Sequence, residues 1–184
     1  MVVGSIPAER AIAYQLMLQL EHLAALLESH RPAAAACVQE FAIGGKFFTF
    51  NSRPAIMGVI NLSPDSWYRE SVCLTSDAAI RRGRVLAEQG ADIIDVGAES
   101  TLAHAARADE DGQRSKLIPV IEALRATGQL VSVETYQPAV TRACLEAGAN
   151  MLNLTGTERN DEMFKLVAAH DRSEERRVGK ECRL

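Results

Sequence analysis

Apolar residues recur along this chain with two different periods, and the change between them divides the sequence. From Ala8 to His30, Ile12, Leu16, Leu20, Leu23 and Leu27 keep to one helical face. That spacing predicts one amphipathic helix packed on a domain or on a partner chain. Arg31-Pro32 is expected to break it. Val38 to Ile43 and Lys46 to Phe50 then read as two short strands. Gly44 and Gly45 between them tolerate the positive φ angles of a tight turn, which predicts a β-hairpin.

From Ile56 onward the pattern alternates. The runs Ile56–Asn61, Ile93–Val96, Leu130–Glu134 and Met151–Leu154 are short and rich in branched or apolar residues, as strands buried on both faces require. Helical stretches lie between them. The first, Asp77 to Gln89, is expected to be capped by Ser76 and stopped at Gly90. The second carries Leu117, Val120, Ile121 and Leu124 and ends at Gly128, with Pro119 expected in a first turn or a break rather than an interior. Pro138 is expected to open the third, with Val140, Ala143, Cys144 and Ala147 inward. The fourth, about Asp161 to His170, offers Met163, Phe164 and Val167.

Residues Gly90-Ala91-Asp92-Ile93-Ile94-Asp95 and Gly148-Ala149-Asn150-Met151-Leu152-Asn153 repeat a helix stop, a turn and a strand carrying a polar residue. The fold class predicted is α/β, a partial (β/α)8 TIM barrel of the first four β/α units, preceded by a β-hairpin and an N-terminal helix. A complete barrel takes about 250 residues and the chain has 184, so half is what fits. Four units alone do not separate a barrel from a doubly wound sheet. The expected divisions are 1–36 as an N-terminal helical extension, 37–170 as the half barrel and 171–184 as a charged tail.

Composition narrows the function classes. The chain is 47% apolar and 24% charged, with a formal net charge of -4, the profile of an ordinary globular domain with no attraction to polyanions. No nucleic-acid partner is expected. Gln15, Gln19, Glu21 and His22 interrupt the apolar stretch near the N-terminus, so no membrane span is expected either. Four scattered cysteines without a C-x-x-C pair suit a reduced, cytoplasmic setting.

Each predicted strand ends in polar residues: Asn61 to Ser66, Glu99 to Thr101, Glu134-Thr135, and Asn153 before Thr155-Gly156. In a barrel these ends converge on one face, where carboxylates and amides held by a sheet orient a small ligand. Singly, each is ordinary turn or cap chemistry; the coincidence of four clusters carries the functional reading. His22 and His104 read as exposed histidines, and Trp67 and Tyr68 as loop anchors or stacking groups.

Met57-Gly58-Val59-Ile60-Asn61-Leu62-Ser63-Pro64-Asp65-Ser66 and Gly90-Ala91-Asp92-Ile93-Ile94-Asp95-Val96-Gly97-Ala98-Glu99-Ser100-Thr101 resemble two motifs of the dihydropteroate synthase family. Ile118-Pro119-Val120-Ile121, Val131-Ser132-Val133-Glu134-Thr135-Tyr136 and Gly148-Ala149 with Asn153 echo three more, in the family's order. The resemblance implies a transferase of folate biosynthesis. It would condense 6-hydroxymethyl-7,8-dihydropterin diphosphate with p-aminobenzoate to dihydropteroate and pyrophosphate. It further implies Mg2+ held by Asn61, catalytic Asp65 and Ser66, and substrate contacts from Asp95, Thr101, Glu134 and Asn153.

There are departures. Leu102 stands where the family usually has arginine, Glu134 for aspartate, Gln137 for lysine, Leu154 for aspartate and Trp67 for phenylalanine. The extra methylene of Glu134 would carry its carboxylate about 1.5 Å further. Counterparts of the family's later aspartate, lysine and arginine–histidine pair are not found, so this stretch by itself is expected to be inactive. Residues 171–184 look like translated adapter sequence joined to a reading frame. A homodimer, a non-catalytic pterin-binding or assembly module, and a pterin-dependent methyltransferase stay open as alternatives.

Overall fold

A computed structural model describes residues 19–66, 68–100, 108–154 and 159–170. The chain divides into two compact units, 1–38 and 39–184. In the first, α1 spans Leu20–Ser29 and α2 spans Arg31–Ala34; the part of the expected helix before Gln19 and the 171–184 tail lie outside the described residues. No residue of α1 is buried. The break expected at Arg31-Pro32 comes one residue earlier, at His30, whose backbone (φ -117°) leaves the helix. Pro32 sits within the first two positions of α2, where a missing N–H costs no bond.

The second unit opens with an antiparallel hairpin, β1 (Phe41–Ile43) and β2 (Lys46–Phe48). Gly44 and Gly45 have φ of 55° and 82°, the two positive angles that a two-residue turn of this hand needs. Gly44 has a second constraint: a Cβ there would lie 2.6 Å from Leu130 Cδ2. The hairpin's Ile43 and Phe48 join Ile93 and Leu130 in an apolar cluster that closes the end of the sheet where the strands begin. Asp92 locks this end. It accepts from Lys46 Nζ at 2.9 Å and from the Ile56 amide at 3.1 Å, and the Lys46 bond holds its carboxyl below the ordinary aspartate range.

Four parallel strands follow, β3 (Met57–Asn61), β4 (Ile93–Gly97), β5 (Leu130–Glu134) and β6 (Met151–Asn153), paired in that order. Each is followed by a helix: α3 (Ser76–Glu88), α4 (Glu110–Arg125), α5 (Pro138–Glu146) and α6 (Asn160–His170). Alternate strand residues Ile60, Ile94, Val96, Val131 and Val133 form one core with Ala79, Leu117, Ile121, Leu124, Val140 and Cys144 from α3, α4 and α5. These three helices therefore cover the same face. A doubly wound sheet reverses its strand order and puts helices on both faces; this sheet does neither. It is four consecutive β/α units of a barrel, not closed among the described residues.

Two local expectations are corrected. The cap of α3 is Thr75, whose hydroxyl accepts from the Ala78 amide at 3.2 Å; Ser76 turns its hydroxyl to the Lys116 carbonyl of α4 at 3.5 Å. Pro119 lies inside α4. Both it and Ser115, whose carbonyl loses its helical donor, are exposed, so water can take that bond while Leu117, Val120 and Ile121 bury the opposite face. In α6 the buried pair is Met163 and Leu166, with Phe164 and Val167 half-buried.

Candidate functional site

The strand register brings the expected residues into one row. Asn61 pairs with Gly97, Gly97 with Glu134, and Glu134 with Asn153. Residues two positions back point to the same side, which adds Val59, Asp95, Ser132 and Met151. This side faces away from the helices, and its upper edge is polar. Thr101, together with Trp67, Leu102 and His104, lies outside the described residues.

Asp95 is the most buried charge of the group, 3% exposed. Asn153 Nδ2 donates to its Oδ2 at 3.2 Å. Its other oxygen, Oδ1, has no hydrogen-bond partner among the described residues, and neither does Ser132 Oγ beside it on β5. Burial pushes the Asp95 carboxyl above the ordinary range, with the Ser132 hydroxyl and the Asn153 amide pulling back.

Asn61 is oriented by its neighbours. Ser71 Oγ donates to the Tyr68 carbonyl at 2.6 Å, so it accepts from Asn61 Nδ2 at 2.7 Å. The Asn61 carbonyl oxygen is then left over Gly97. A Cβ built on Gly97 would meet Glu134 Oε2 at 2.9 Å and Asn61 Oδ1 at 3.3 Å. The two side-chain oxygens therefore converge above a position that only glycine leaves open.

The segment after β3 is pinned along its length. Leu62 N bonds the Gly97 carbonyl at 2.7 Å. The Asp65 amide donates to Ser63 Oγ at 3.3 Å, Arg69 Nη1 to the Pro64 carbonyl at 2.6 Å, and Ser100 Oγ to the Asp65 carbonyl at 3.1 Å. Asp65 is half-buried and Ser66 buried.

Sequence reasoning missed a second cluster, around Glu99. Tyr136 Oη donates to Glu99 Oε1 at 2.6 Å and Gln113 Nε2 to Oε2 at 2.8 Å. Gln113 is 1% exposed. The signal available was a polar residue four positions before Leu117 on a buried helical face.

The row offers carboxylate and amide oxygens around a shallow floor, matched to a flat ring with several N–H donors. Among the described residues no group of three or more His, Cys, Asp or Glu side chains gathers to hold a metal ion, and no helix is long and apolar enough to cross a membrane.

Residues 57–173 match the family described as pterin binding enzyme. The chain is 34% identical over 131 residues to a dihydropteroate synthase of Clostridium beijerinckii, covering 70% of this chain and 49% of that protein. With the dihydropteroate synthase of Bacillus subtilis it shares 32% identity over 125 residues, covering 67% and 44%. The fold resembles the Xanthomonas albilineans dihydropteroate synthase solved with 4-aminobenzoic acid, with a TM-score of 0.61 at 36% identity over 72% of this chain and 49% of that one. The Burkholderia cenocepacia dihydropteroate synthase complexed with 7,8-dihydropteroate gives a TM-score of 0.58 at 34% identity, over 70% and 42%. The chain thus spans about half the length of the relatives it matches.

Proposed function

The chain belongs to the dihydropteroate synthase family of pterin binding enzymes, and from that premise we propose that its barrel condenses 6-hydroxymethyl-7,8-dihydropterin diphosphate with p-aminobenzoate. The observation that carries this reading is the buried Asp95 carboxylate, its Oδ1 unmatched among the described residues, beside Asn153 and below Glu134. A pterin edge presents ring N–H and amino donors together with a carbonyl acceptor. Asp95 Oδ1 and Glu134 would accept from the donors, and Asn153, held by Asp95, would orient the edge. Each unmatched buried group costs about 1–3 kcal/mol, which makes such a pocket selective among ring systems.

In the reaction the amine nitrogen attacks the pterin methylene carbon, the carbon–oxygen bond to the diphosphate breaks, pyrophosphate leaves with the electron pair, and the amine loses a proton. Asp65 would stabilise positive charge growing at the methylene, with Ser66 beside it in the same segment. Thr101 would meet the diphosphate.

The donor set also fits Mg2+. Asn61 Oδ1 is a hard oxygen over the Gly97 gap, and Mg2+ commonly takes one or two protein oxygens, with phosphates and water supplying the rest. Bound there, the ion would neutralise charge on the departing pyrophosphate. We place the protein in the cytoplasm.

Calorimetry with the pterin diphosphate, with and without Mg2+ and p-aminobenzoate, tests this reading. The expected result is binding strengthened by Mg2+, with pyrophosphate release once the barrel is complete. Binding without release from a complete barrel would favour a non-catalytic pterin module; no binding at all would sink the proposal.

A further inference from the structure

We propose that Glu99 is a positioning residue that sets the segment carrying Asp65, acting through Ser100. Glu99 is 9% exposed and both its carboxylate oxygens are engaged. Oε1 accepts from Tyr136 Oη at 2.6 Å, two residues beyond Glu134 at the end of β5. Oε2 accepts from Gln113 Nε2 at 2.8 Å. Gln113 is itself fixed, donating to the Ala108 carbonyl at 3.1 Å and accepting from Thr135 Oγ1 at 3.4 Å.

A carboxylate held at both oxygens has little freedom, and the next residue inherits that constraint. Ser100 is 5% exposed and its hydroxyl donates to the main-chain carbonyl of Asp65 at 3.1 Å. A continuous path therefore runs from the end of β5 through Tyr136, Glu99 and Ser100 to Asp65 on the segment after β3. Its links join three successive β/α units, so the placement of Asp65 follows that of the Glu134 strand end. A charge-stabilising group must be held closely to be effective, and this chain of buried polar contacts supplies that hold. The functional meaning of this latch rests on the pterin reading above; the latch itself does not.

Hydrogen exchange on the full chain tests it, comparing wild type with Tyr136→Phe, Glu99→Ala and Glu99→Gln. Tyr136→Phe keeps the ring and removes only the hydroxyl donor. The expected result is about tenfold faster exchange of the Asp65 and Ser66 amides, because losing one hydrogen bond of the path makes opening of the segment easier by about that factor, with β4 and β5 amides unchanged. Glu99→Ala should do the same, and Glu99→Gln, which keeps one oxygen acceptor, should lie between it and wild type. Should Glu99→Ala unfold the chain, Tyr136→Phe decides alone. Unchanged exchange at Asp65 and Ser66 in Tyr136→Phe overturns the latch. In parallel, 7,8-dihydropterin is titrated into each variant with Mg2+ and pyrophosphate present. If wild type does not bind it, the pterin reading fails while the exchange comparison still decides the latch.

Discussion

Asn153 reaches past β5 to donate its side-chain amide to Asp95 at 3.2 Å. The two residues lie on β6 and β4, which are not neighbours. In a flat sheet their backbones would stand about 9.5 Å apart, so the bond forms because the sheet curls toward this face. The curvature of an incipient barrel and the assembly of the site are the same event.

Substituting Asp95→Asn should stabilise the fold and weaken the ligand. The folded Asp95 carboxyl is raised above the unfolded value of about 3.9. Its contribution is therefore full at low pH and is lost as pH rises through the folded pKa, leaving a penalty at neutrality. Asparagine removes that penalty. Thermal melts should show a higher Tm at neutral pH and a flatter profile upward from about pH 4. Pterin affinity should fall about 10- to 100-fold, the worth of a hydrogen bond to a charged group. A lower neutral Tm with unaltered affinity would contradict both halves of the argument.

Gly97→Ala separates the floor of the site from the fold. Gly97 lacks a positive φ, so the backbone accepts alanine. The new methyl would press on Glu134 Oε2 at 2.9 Å and Asn61 Oδ1 at 3.3 Å, the ends of side chains that can swing away. Stability should change little, whereas calorimetric affinity for the pterin diphosphate should drop about tenfold or more. Full affinity in a folded Gly97→Ala protein would show that the two oxygens do not serve the ligand.

Much of this was legible in the sequence because buried parallel strands leave a continuous apolar signature. Leu130–Glu134 emerges with the expected bounds, and the ends of the other three parallel strands fall within one residue, whereas the hairpin strands are shorter than expected by three residues and by two. Register follows from strand order, so Asn61, Glu134 and Asn153 could be placed on a common rim. What stayed hidden depends on contacts between distant segments. Barrel and doubly wound sheet differ in strand order and in which face the helices choose, and neither is written in four β/α units of sequence. Thr75 and Ser76 are equally good caps until Lys116 of α4 claims the Ser76 hydroxyl. Pro119 reads as a breaker because its exposed position on α4 has no sequence signature. Tyr136, Gln113 and Ser132 each look ordinary until the fold brings them to Glu99 or Asp95.

Gly83→Ala should destabilise, against helix propensity. In the middle of an exposed helix the change would gain about 1 kcal/mol. Here the added Cβ would lie 2.7 Å and 3.0 Å from the two Leu124 methyls and 3.4 Å from Ile60 Cδ1. Leu124 is 1% exposed and has nowhere to move, and overpacking of this kind costs about 1–3 kcal/mol. A lowered urea midpoint is the expected outcome. A raised midpoint would mean that α3 and α4 can separate at little cost.

Thiol reactivity reports whether the core beneath α5 is formed. Cys144 is fully buried against the sheet, and burial pushes its thiol up to about 12. Alkylation requires the thiolate, so at pH 8 Cys144 is disfavoured twice, by access and by ionisation. Cys37 is exposed. Cys73 stands between them, raised by partial burial with Arg82 opposing. Of the three cysteines among the described residues, iodoacetamide followed by peptide mass mapping should modify Cys37 first, Cys73 more slowly, and Cys144 only after denaturant is added. If Cys144 reacts as fast as Cys37 without denaturant, α5 does not pack on β5 and β6 in solution, and the site they support is not assembled.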